Sequence, residues 1–324
     1  MSISKLLRSV LIAILIFHAN NGLLLVSSFA EETSKSLNYT ELYGSFFDSF
    51  FVDDQIGWMC GKSGMIYHTK DGGLSWIQQD TGTRESILSI SFVDKDTGWA
   101  VGEKSIILST RDGGSTWVEQ KSPLPNHLLC VKFTDARHGV AAGDWGKIIL
   151  TEDGGNTWED VSLEEDILLY GIDFINRDEG WIAAEAGTIF HTKDSGRTWE
   201  SLQTNDLLTF FAICMEEDGN GIAVGLDGIM YRTRDKGQTW VPGVKLSKRA
   251  FYNVVLKGQK GLIVGDAATI YETKDGGDTW EMIKPPELMR QYWLHAISPL
   301  GEDNYLVAGA RGSVVFIKDS KIIN

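Results

Sequence analysis

Apolar and polar residues alternate over short stretches along most of the chain, and one arrangement returns about every 41 residues. In residues 87–120, ILSISFVD alternates, WAVG and SIILST are short apolar segments, and TWVEQ follows a turn rich in Gly and Asp. Short runs of this kind predict β-strands, because no repeat has the 3.6-residue periodicity of a helix over ten or more residues. Four short antiparallel strands in about 40 residues are typical of one β-propeller blade.

The turn before each fourth predicted strand defines the period. It first reads TKDGGLSW, at residues 69–76, and it returns five times in closely similar form. Its aspartates and tryptophans are Asp71 and Trp76, Asp112 and Trp117, Asp153 and Trp158, Asp194 and Trp199, Asp235 and Trp240, and Asp275 and Trp280. Successive aspartates lie 41 residues apart, except for a last spacing of 40. A period this constant indicates one supersecondary unit repeated along the chain.

The residue types of this turn predict a structural role. An aspartate can accept hydrogen bonds from turn N–H groups, and the glycines adopt positive φ at little cost. Each tryptophan is a large apolar ring at a fixed place, so we expect the six rings to be a main source of stability. The motif resembles the Asp box, or BNR repeat, of sialidases and related propellers. Six equivalent aspartates on six blades cannot face one substrate, and we predict turn clamps with no metal, cofactor or catalytic role.

The loops between second and third predicted strands give the number of blades. Seven such loops occur, from Gly61–Gly64 to Gly309–Gly312, so the chain is predicted to be an all-β, seven-bladed propeller over residues 45–324. After the last loop, Asp319 stands where the repeated turn should begin, but no GGxTW follows. We therefore expect blade seven to lack a C-terminal fourth strand. Residues 31–44, with the strand-like piece Leu37–Tyr43, are predicted to supply it and close the ring, so that their deletion opens the ring.

The first 30 residues have the layout of a secretory signal peptide. Lys5 and Arg8 precede the apolar run Val10–Phe17, and the small residues Ser28 and Ala30 precede a cleavage site. We predict export to the periplasm or an equivalent lumen. The alternative is an uncleaved membrane anchor over residues 10–29, which the polar break at 18–22 disfavours.

Charge and cysteine content exclude several classes of function. The net charge of −14 argues against general nucleic-acid binding and against simple adsorption to anionic lipid. Cys60, Cys130 and Cys214 follow no metal-binding spacing, and we interpret them as buried thiols. We expect a monomer.

Loop composition points to one face of the propeller as a docking surface. The second-to-third loops and the blade-joining loops of a four-stranded blade lie on one face, and the repeated turns lie on the other. On the first face, acidic residues gather in blades three and four, as Glu164, Glu165, Asp166 and Glu185, and basic residues gather from blade five through seven to one. The candidate docking residues are Lys62, Arg84, Trp145, Arg249, Tyr252, Arg290, Trp293 and Arg311. Arg and aromatic residues dominate interface hot spots, although a solvated rim with scattered charge remains the alternative.

The repeat also identifies a family. Phe92-Val93-Asp94, Gly98–Gly102 and Thr110–Trp117 resemble the unit of the photosystem II stability/assembly-factor propellers of chloroplasts and cyanobacteria and of their bacterial relatives. The resemblance covers residues 37–324. It implies a non-enzymatic propeller that binds assembling membrane-protein subunits and carries an arginine patch on one face. Arg249, Arg290 and Arg311 are the candidate counterparts of that patch.

Three functions are weighed on this basis. The first is an exported scaffold or assembly factor that docks on a membrane-protein partner. The second is a carbohydrate- or peptide-binding propeller that uses Trp145, Tyr252 and Trp293 as stacking surfaces. The third is a sialidase-type glycosidase, which needs an arginine triad, a tyrosine nucleophile beside a glutamate, and an acid/base aspartate. The chain has no well-placed Glu–Tyr pair, and its blades are too alike to hold a specialised catalytic site.

Overall fold

A computed structural model describes residues 42–323, which form seven four-stranded antiparallel sheets. The strands of each sheet are paired in chain order, and the seven first strands line a common axis. The first strand of blade seven lies beside the first strand of blade one, so the ring is closed. The predicted seven-bladed propeller is confirmed.

The blades have nearly equal strand lengths. Blades one to three comprise β1 (Phe46–Phe51), β2 (Gly57–Gly61), β3 (Ile66–Thr69), β4 (Ile77–Gln79), β5 (Ile87–Phe92), β6 (Gly98–Gly102), β7 (Ile107–Thr110), β8 (Val118–Glu119), β9 (Leu128–Phe133), β10 (Gly139–Gly143), β11 (Ile148–Thr151) and β12 (Glu159–Asp160). Blades four and five comprise β13 (Leu169–Phe174), β14 (Gly180–Ala184), β15 (Thr188–Thr192), β16 (Glu200–Gln203), β17 (Phe210–Met215), β18 (Gly221–Gly225), β19 (Met230–Thr233) and β20 (Val241–Pro242). Blades six and seven comprise β21 (Phe251–Lys257), β22 (Lys260–Gly265), β23 (Ile270–Thr273), β24 (Glu281–Met282), β25 (Leu294–Leu300), β26 (Asn304–Gly309), β27 (Val314–Lys318) and β28 (Lys321–Ile323).

Short 3-10 turns lie between these strands. They join the second and third strands in six blades, at Lys62–Gly64, Glu103–Ser105, Asp144–Gly146, Leu226–Gly228, Asp266–Ala268 and Ala310–Gly312. Another, Glu287–Gln291, precedes blade seven. In residues 42–323 no helix is long and apolar enough to cross a membrane. The predicted signal peptide, residues 1–30, lies outside the described residues.

The core lies between blades, and its largest rings come from the second strands. Trp58, Trp99 and Trp181 are fully buried there. Trp58 stacks on Phe92 of the next blade. Of the six tryptophans of the repeated turn, Trp158 and Trp280 are buried, whereas the other four are half-exposed. The prediction that the six rings are a main source of stability is therefore not supported for these four, because the largest fully buried rings are those of the second strands.

Each aspartate of the repeated turn holds that turn closed. In blade one, Asp71 Oδ1 accepts hydrogen bonds from Thr69 Oγ1 and Ser75 N, both at 2.8 Å, and Oδ2 accepts one from Ser75 Oγ at 2.6 Å. The same bonds form at Asp275, where those from Thr279, side chain first and then backbone, lower the aspartate pKa to about 2. These aspartates therefore act inside their own turns.

Asp71→Ala is expected to lower Tm by roughly 6–12 °C. It removes three hydrogen bonds worth about 1 kcal/mol each, and about 1 kcal/mol shifts Tm by about 2–4 °C in a domain of this size. Asp54→Ala removes an exposed carboxylate from the neighbouring β1–β2 turn of the same blade and should leave Tm within about 1 °C. Calorimetry distinguishes the two. Equal shifts would show that loss of charge, and not of the turn bonds, sets the effect.

Blade seven closes differently from the prediction. Its fourth strand, β28, follows a two-residue turn in which Asp319 and Ser320 have φ values of 49° and 61°, and it pairs with β27. Two consecutive positive φ values characterise a tight hairpin turn, which replaces the longer turn of the other blades. The expectation that the C-terminus lacks a fourth strand was wrong, because this two-residue turn connects β27 to β28 without a GGxTW sequence.

The start of the described chain joins blade seven to blade one. Gly44 O accepts a hydrogen bond of 2.7 Å from Gly312 N, and Leu42 is buried beside Phe46 and Val314. In blade three, Gly146 N donates in the same way to Ile167 O of the following joint. Residues 42–44 thus occupy the position of a blade joint. The rest of the predicted closing segment, residues 31–41, lies outside the described residues.

Candidate docking face

The second-to-third turns and the blade joints lie together on one side of the ring. Lys62 N donates to Ser45 O at 3.0 Å, and Asp266 N donates to Ala250 O at 3.0 Å, so each turn is held against the joint that enters its own blade. We call this side the loop face. Seven of the eight candidate docking residues lie in its turns and joints, and the eighth, Tyr252, is the second residue of β21.

A ring of seven side chains surrounds the mouth of the central channel on this face. The second residue of every first strand is the extra residue of a β-bulge, which turns its side chain away from the blade seams. These residues line the channel and are half-buried. They form a collar of Phe47, Leu88, Leu129, Tyr170, Phe211, Tyr252 and His295.

Five collar residues are aromatic, and they are consecutive around the ring from blade four through seven to one. Phe211 lies edge-on to Tyr170 at 5.1 Å between centroids, and Tyr252 stacks on His295 at 5.7 Å. Trp293, from the joint before blade seven, stacks on Phe47 at 5.7 Å with 7° between planes. We call these six residues the aromatic arc. Burial lowers the pKa of His295, so its ring is neutral at pH 7 and adds to an apolar surface.

Three arginines border the arc on blades six and seven. Arg311 lies 5.5 Å over the ring of Tyr292, the residue before Trp293. Arg249 pairs with Asp266 at 3.4 Å, and Arg290 pairs with Glu287 at 3.7 Å. Their side chains are exposed, and exposed ion pairs contribute little free energy. These guanidinium groups can therefore exchange their present partners for an incoming acidic group.

Five of the eight candidate docking residues lie in two neighbouring blades, and the other three lie elsewhere on the loop face. Tyr252, Trp293, Arg249, Arg290 and Arg311 share blades six and seven, whose loops are joined by the hydrogen bonds Ala268 N to Tyr292 O and Ala310 N to Trp293 O. Lys62 is in blade one, and Arg84 is in the joint before blade two. Among the described residues neither of them forms an ion pair.

Trp145 is separate from the arc. It lies in blade three, across the ring from blade six, at a left-handed position with φ of 59°, and it is 62% exposed. It lines a shallow cleft with the acidic segment 160–166. A ligand resting on Trp145 therefore meets carboxylates, whereas a ligand on the arc meets guanidinium groups.

Deeper in the channel, polar side chains accept hydrogen bonds from backbone N–H groups at the inner edges of the blades. The first strand of a blade has no strand on its inner side, so some of its N–H groups need other acceptors. Met215 N donates to Asp173 Oδ2 at 2.9 Å, and Leu256 N donates to Cys214 Sγ at 3.2 Å, in each case across a blade seam. Lys132 pairs with Asp173 at 2.9 Å. Cys60 and Cys130 are buried thiols as predicted, whereas Cys214 is half-buried and accepts a hydrogen bond at a blade seam.

Asp48 belongs to the same polar layer, and its environment predicts a pH effect. Burial raises its pKa to about 6, although Ile90 N and Ser89 Oγ both donate to it and Lys132 lies near. The folded state thus binds this proton more tightly than the unfolded state does. The stabilising effect of protonation is present below about pH 4 and is lost as pH rises through about 6.

Asp48→Asn keeps the shape and the acceptor for Ile90 N and Ser89 Oγ, and it removes the ionisation together with the acceptor for Ser49 N. We expect the variant to be more stable than the parent at pH 7.5, by on the order of 2 kcal/mol, and equal to it at pH 4. Urea unfolding at both pH values measures this difference. A variant that is less stable at pH 7.5 would show that the charged form is favoured inside the channel.

The chain is similar to known propeller proteins in sequence and in fold. One family profile, described as photosynthesis system II assembly factor YCF48, matches residues 75–129 and 117–254. Among solved structures, YCF48 bound to D1 peptide has a TM-score of 0.70 and 20% identity, over 85% of this chain and 92% of that chain. YCF48 from Cyanidioschyzon merolae has a TM-score of 0.70 and 19% identity, over 85% of this chain and 95% of that chain.

An enzyme shares the same architecture. The GH74 xyloglucanase from Xanthomonas campestris has a TM-score of 0.69 and 13% identity, over 86% of this chain and 52% of that chain. Likeness at these identities shows the fold alone. A search among proteins of curated function finds no match.

Proposed function

The chain belongs to the photosystem II assembly factor YCF48 family, and on that premise we propose that it is a non-enzymatic scaffold that docks on a membrane-protein partner. The observation that carries the proposal is the aromatic arc with its arginine border on the loop face. Trp, Tyr and Arg are the residues that most often supply binding energy at interfaces, because they bury large areas and still form directional contacts. No other described part of the loop face combines them.

The proposed occupant is a segment of the partner that reaches the channel mouth. Its apolar side chains rest on the arc, and an acidic side chain or terminal carboxylate reaches Arg249, Arg290 or Arg311. A guanidinium group can bind a carboxylate through two parallel hydrogen bonds. The relative of known structure that was solved with a D1 peptide supports a peptide segment as the occupant.

The alternatives fit the geometry less well. A glycan stacked on Trp145, Tyr252 and Trp293 together would have to span the ring from blade three to blades six and seven. For sialidase-type chemistry, burial raises the pKa of Tyr252, which makes its hydroxyl a poorer nucleophile. Peptide docking requires neither a ligand that spans the ring nor an activated tyrosine hydroxyl.

A pull-down from native membranes tests the proposal. The Arg249→Glu/Arg290→Glu/Arg311→Glu variant should capture the partner at least tenfold less than the parent does, because it places acids beside an acidic segment. The matched control, Lys95→Glu/Arg177→Glu/Lys193→Glu, makes the same charge change at exposed residues of the opposite face and should keep capture within twofold. If the control variant loses capture of the partner to the same extent, the change in the protein's total charge explains the loss. If both variants capture the parent's proteins, the docking face lies elsewhere.

Export is part of the proposal. The predicted signal peptide, residues 1–30, would place the propeller in the periplasm or an equivalent lumen. Fractionation with N-terminal sequencing of the accumulated protein should find it there, beginning at Glu31. A chain that begins at Met1 and stays in the membrane fraction supports the anchor over residues 10–29 instead.

A further inference from the structure

Exposed large apolar side chains are distributed unevenly between the two faces. The loop face has six of them among the described residues: Tyr43, Trp145, Leu207, Leu226, Val244 and Leu288. The opposite face has one, Leu74, within residues 42–323. The others described lie on the outermost strands. The loop face is therefore the more apolar face.

Four of these residues follow one another around the ring. Leu207 is in the joint before blade five, Leu226 in the second-to-third turn of blade five, Val244 in the joint before blade six, and Leu288 in the joint before blade seven. Leu207 and Leu288 are each 80% exposed. We call these four residues the apolar tips.

We propose that the apolar tips insert into the interfacial layer of a lipid bilayer, so that the loop face lies against the membrane. The tips stand singly on separate loops, with charged residues between them along the chain. A folded protein partner would need a separate, correctly spaced pocket for each tip. A fluid lipid surface accommodates separated tips in any spacing, as it does for other interfacial segments.

The charges around the apolar tips indicate whether insertion needs anionic lipid. Lys245, next to Val244, pairs with Asp227 at 3.0 Å, and Arg290, near Leu288, pairs with Glu287. These two cations are already paired with acids, and the whole chain carries a net charge of −14. Insertion is therefore driven by the apolar side chains and needs no anionic lipid.

This inference does not depend on the proposed partner. A propeller held with its loop face on the bilayer would present the aromatic arc to parts of membrane proteins that emerge from the same surface. Binding to vesicles that contain no protein tests the lipid contact alone, so failure there and failure of partner capture remain distinguishable.

The first test is flotation with phosphatidylcholine vesicles. Relative to the parent, the variant Leu207→Ser/Leu226→Ser/Val244→Ser/Leu288→Ser should show a partition coefficient at least tenfold lower. The control Ile77→Ser/Val118→Ser/Val241→Ser/Met282→Ser changes four exposed apolar residues of the outermost strands and should remain within twofold. Raising the salt concentration should leave the parent's binding unchanged. A tip variant within twofold of the parent, or a control that falls equally, overturns the proposal.

A second measurement keeps the test valid if a variant folds poorly or if residues 1–30 themselves hold vesicles. An environment-sensitive dye is attached to a Leu288→Cys or a Leu74→Cys variant, since Cys60 and Cys130 are buried and Cys214 is half-buried. With vesicles, emission at 288 should shift to the blue and be quenched by spin-labelled lipid, whereas emission at 74 should not change. A water-like spectrum at both positions overturns the proposal.

Discussion

Trp99→Ala is expected to lower the free energy of unfolding by about 3–5 kcal/mol, the range for deleting a fully buried aromatic ring. Trp99 stacks on Phe133 of the next blade, with 4° between planes, and its Nε1 donates to Gly154 O at 2.9 Å. Arg111 covers the ring at 4.6 Å. The substitution removes packing and a hydrogen bond that together join blade two to blade three.

Urea unfolding with Trp117→Ala as the control measures this effect. Trp117 belongs to the repeated turn of the same blade, is half-exposed, and meets Phe92 edge-on at 6.0 Å. We expect Trp117→Ala to cost less than half as much as Trp99→Ala. A larger loss for Trp117→Ala would restore the turn tryptophans as the main source of stability.

The double substitution Phe47→Ala/Trp293→Ala is expected to weaken partner binding at least 30-fold. These rings stack across the junction of blades seven and one, and a hot-spot loss of about 2 kcal/mol or more corresponds to this factor. Titration of the captured partner against parent and variant measures the change.

Trp145→Ala is the matched control, because it removes an exposed ring on the same face but beside acidic residues. Binding should change less than twofold. If Trp145→Ala weakens binding and the double variant does not, the partner docks on blade three. Loss of glycan binding in Trp145→Ala would instead favour the carbohydrate-binding alternative.

Local sequence patterns sufficed to predict most of the fold. The strand segments expected in residues 87–120 are β5 to β8, and the turn aspartates form bonds within eight residues of chain. The closure of blade seven was not predicted, since the tight turn at Asp319 and Ser320 shares no pattern with the other blades. Its detection required the strand-like character of KII at residues 321–323.

The docking site was only partly predictable from the sequence, because its composition depends on strand register and on the order of the blades around the ring. Tyr252 and Trp293 were expected on the loop face, but their neighbours Phe47 and His295 are brought there by bulges and by ring closure. A 41-residue offset connects equivalent positions of successive blades, as it does for Lys132 and Asp173. The same offset relates six of the seven collar residues, and His295 lies 43 residues after Tyr252.

Site-specific photo-crosslinking in native membranes is the most direct test of the claim that the loop face docks on a membrane-protein partner. A photoreactive residue replaces Tyr292, beside the aromatic arc, or Leu74, on the opposite face. The account predicts one dominant membrane-protein adduct from position 292 and none from position 74. An adduct from position 74 alone, or equal adducts from both positions, would contradict it.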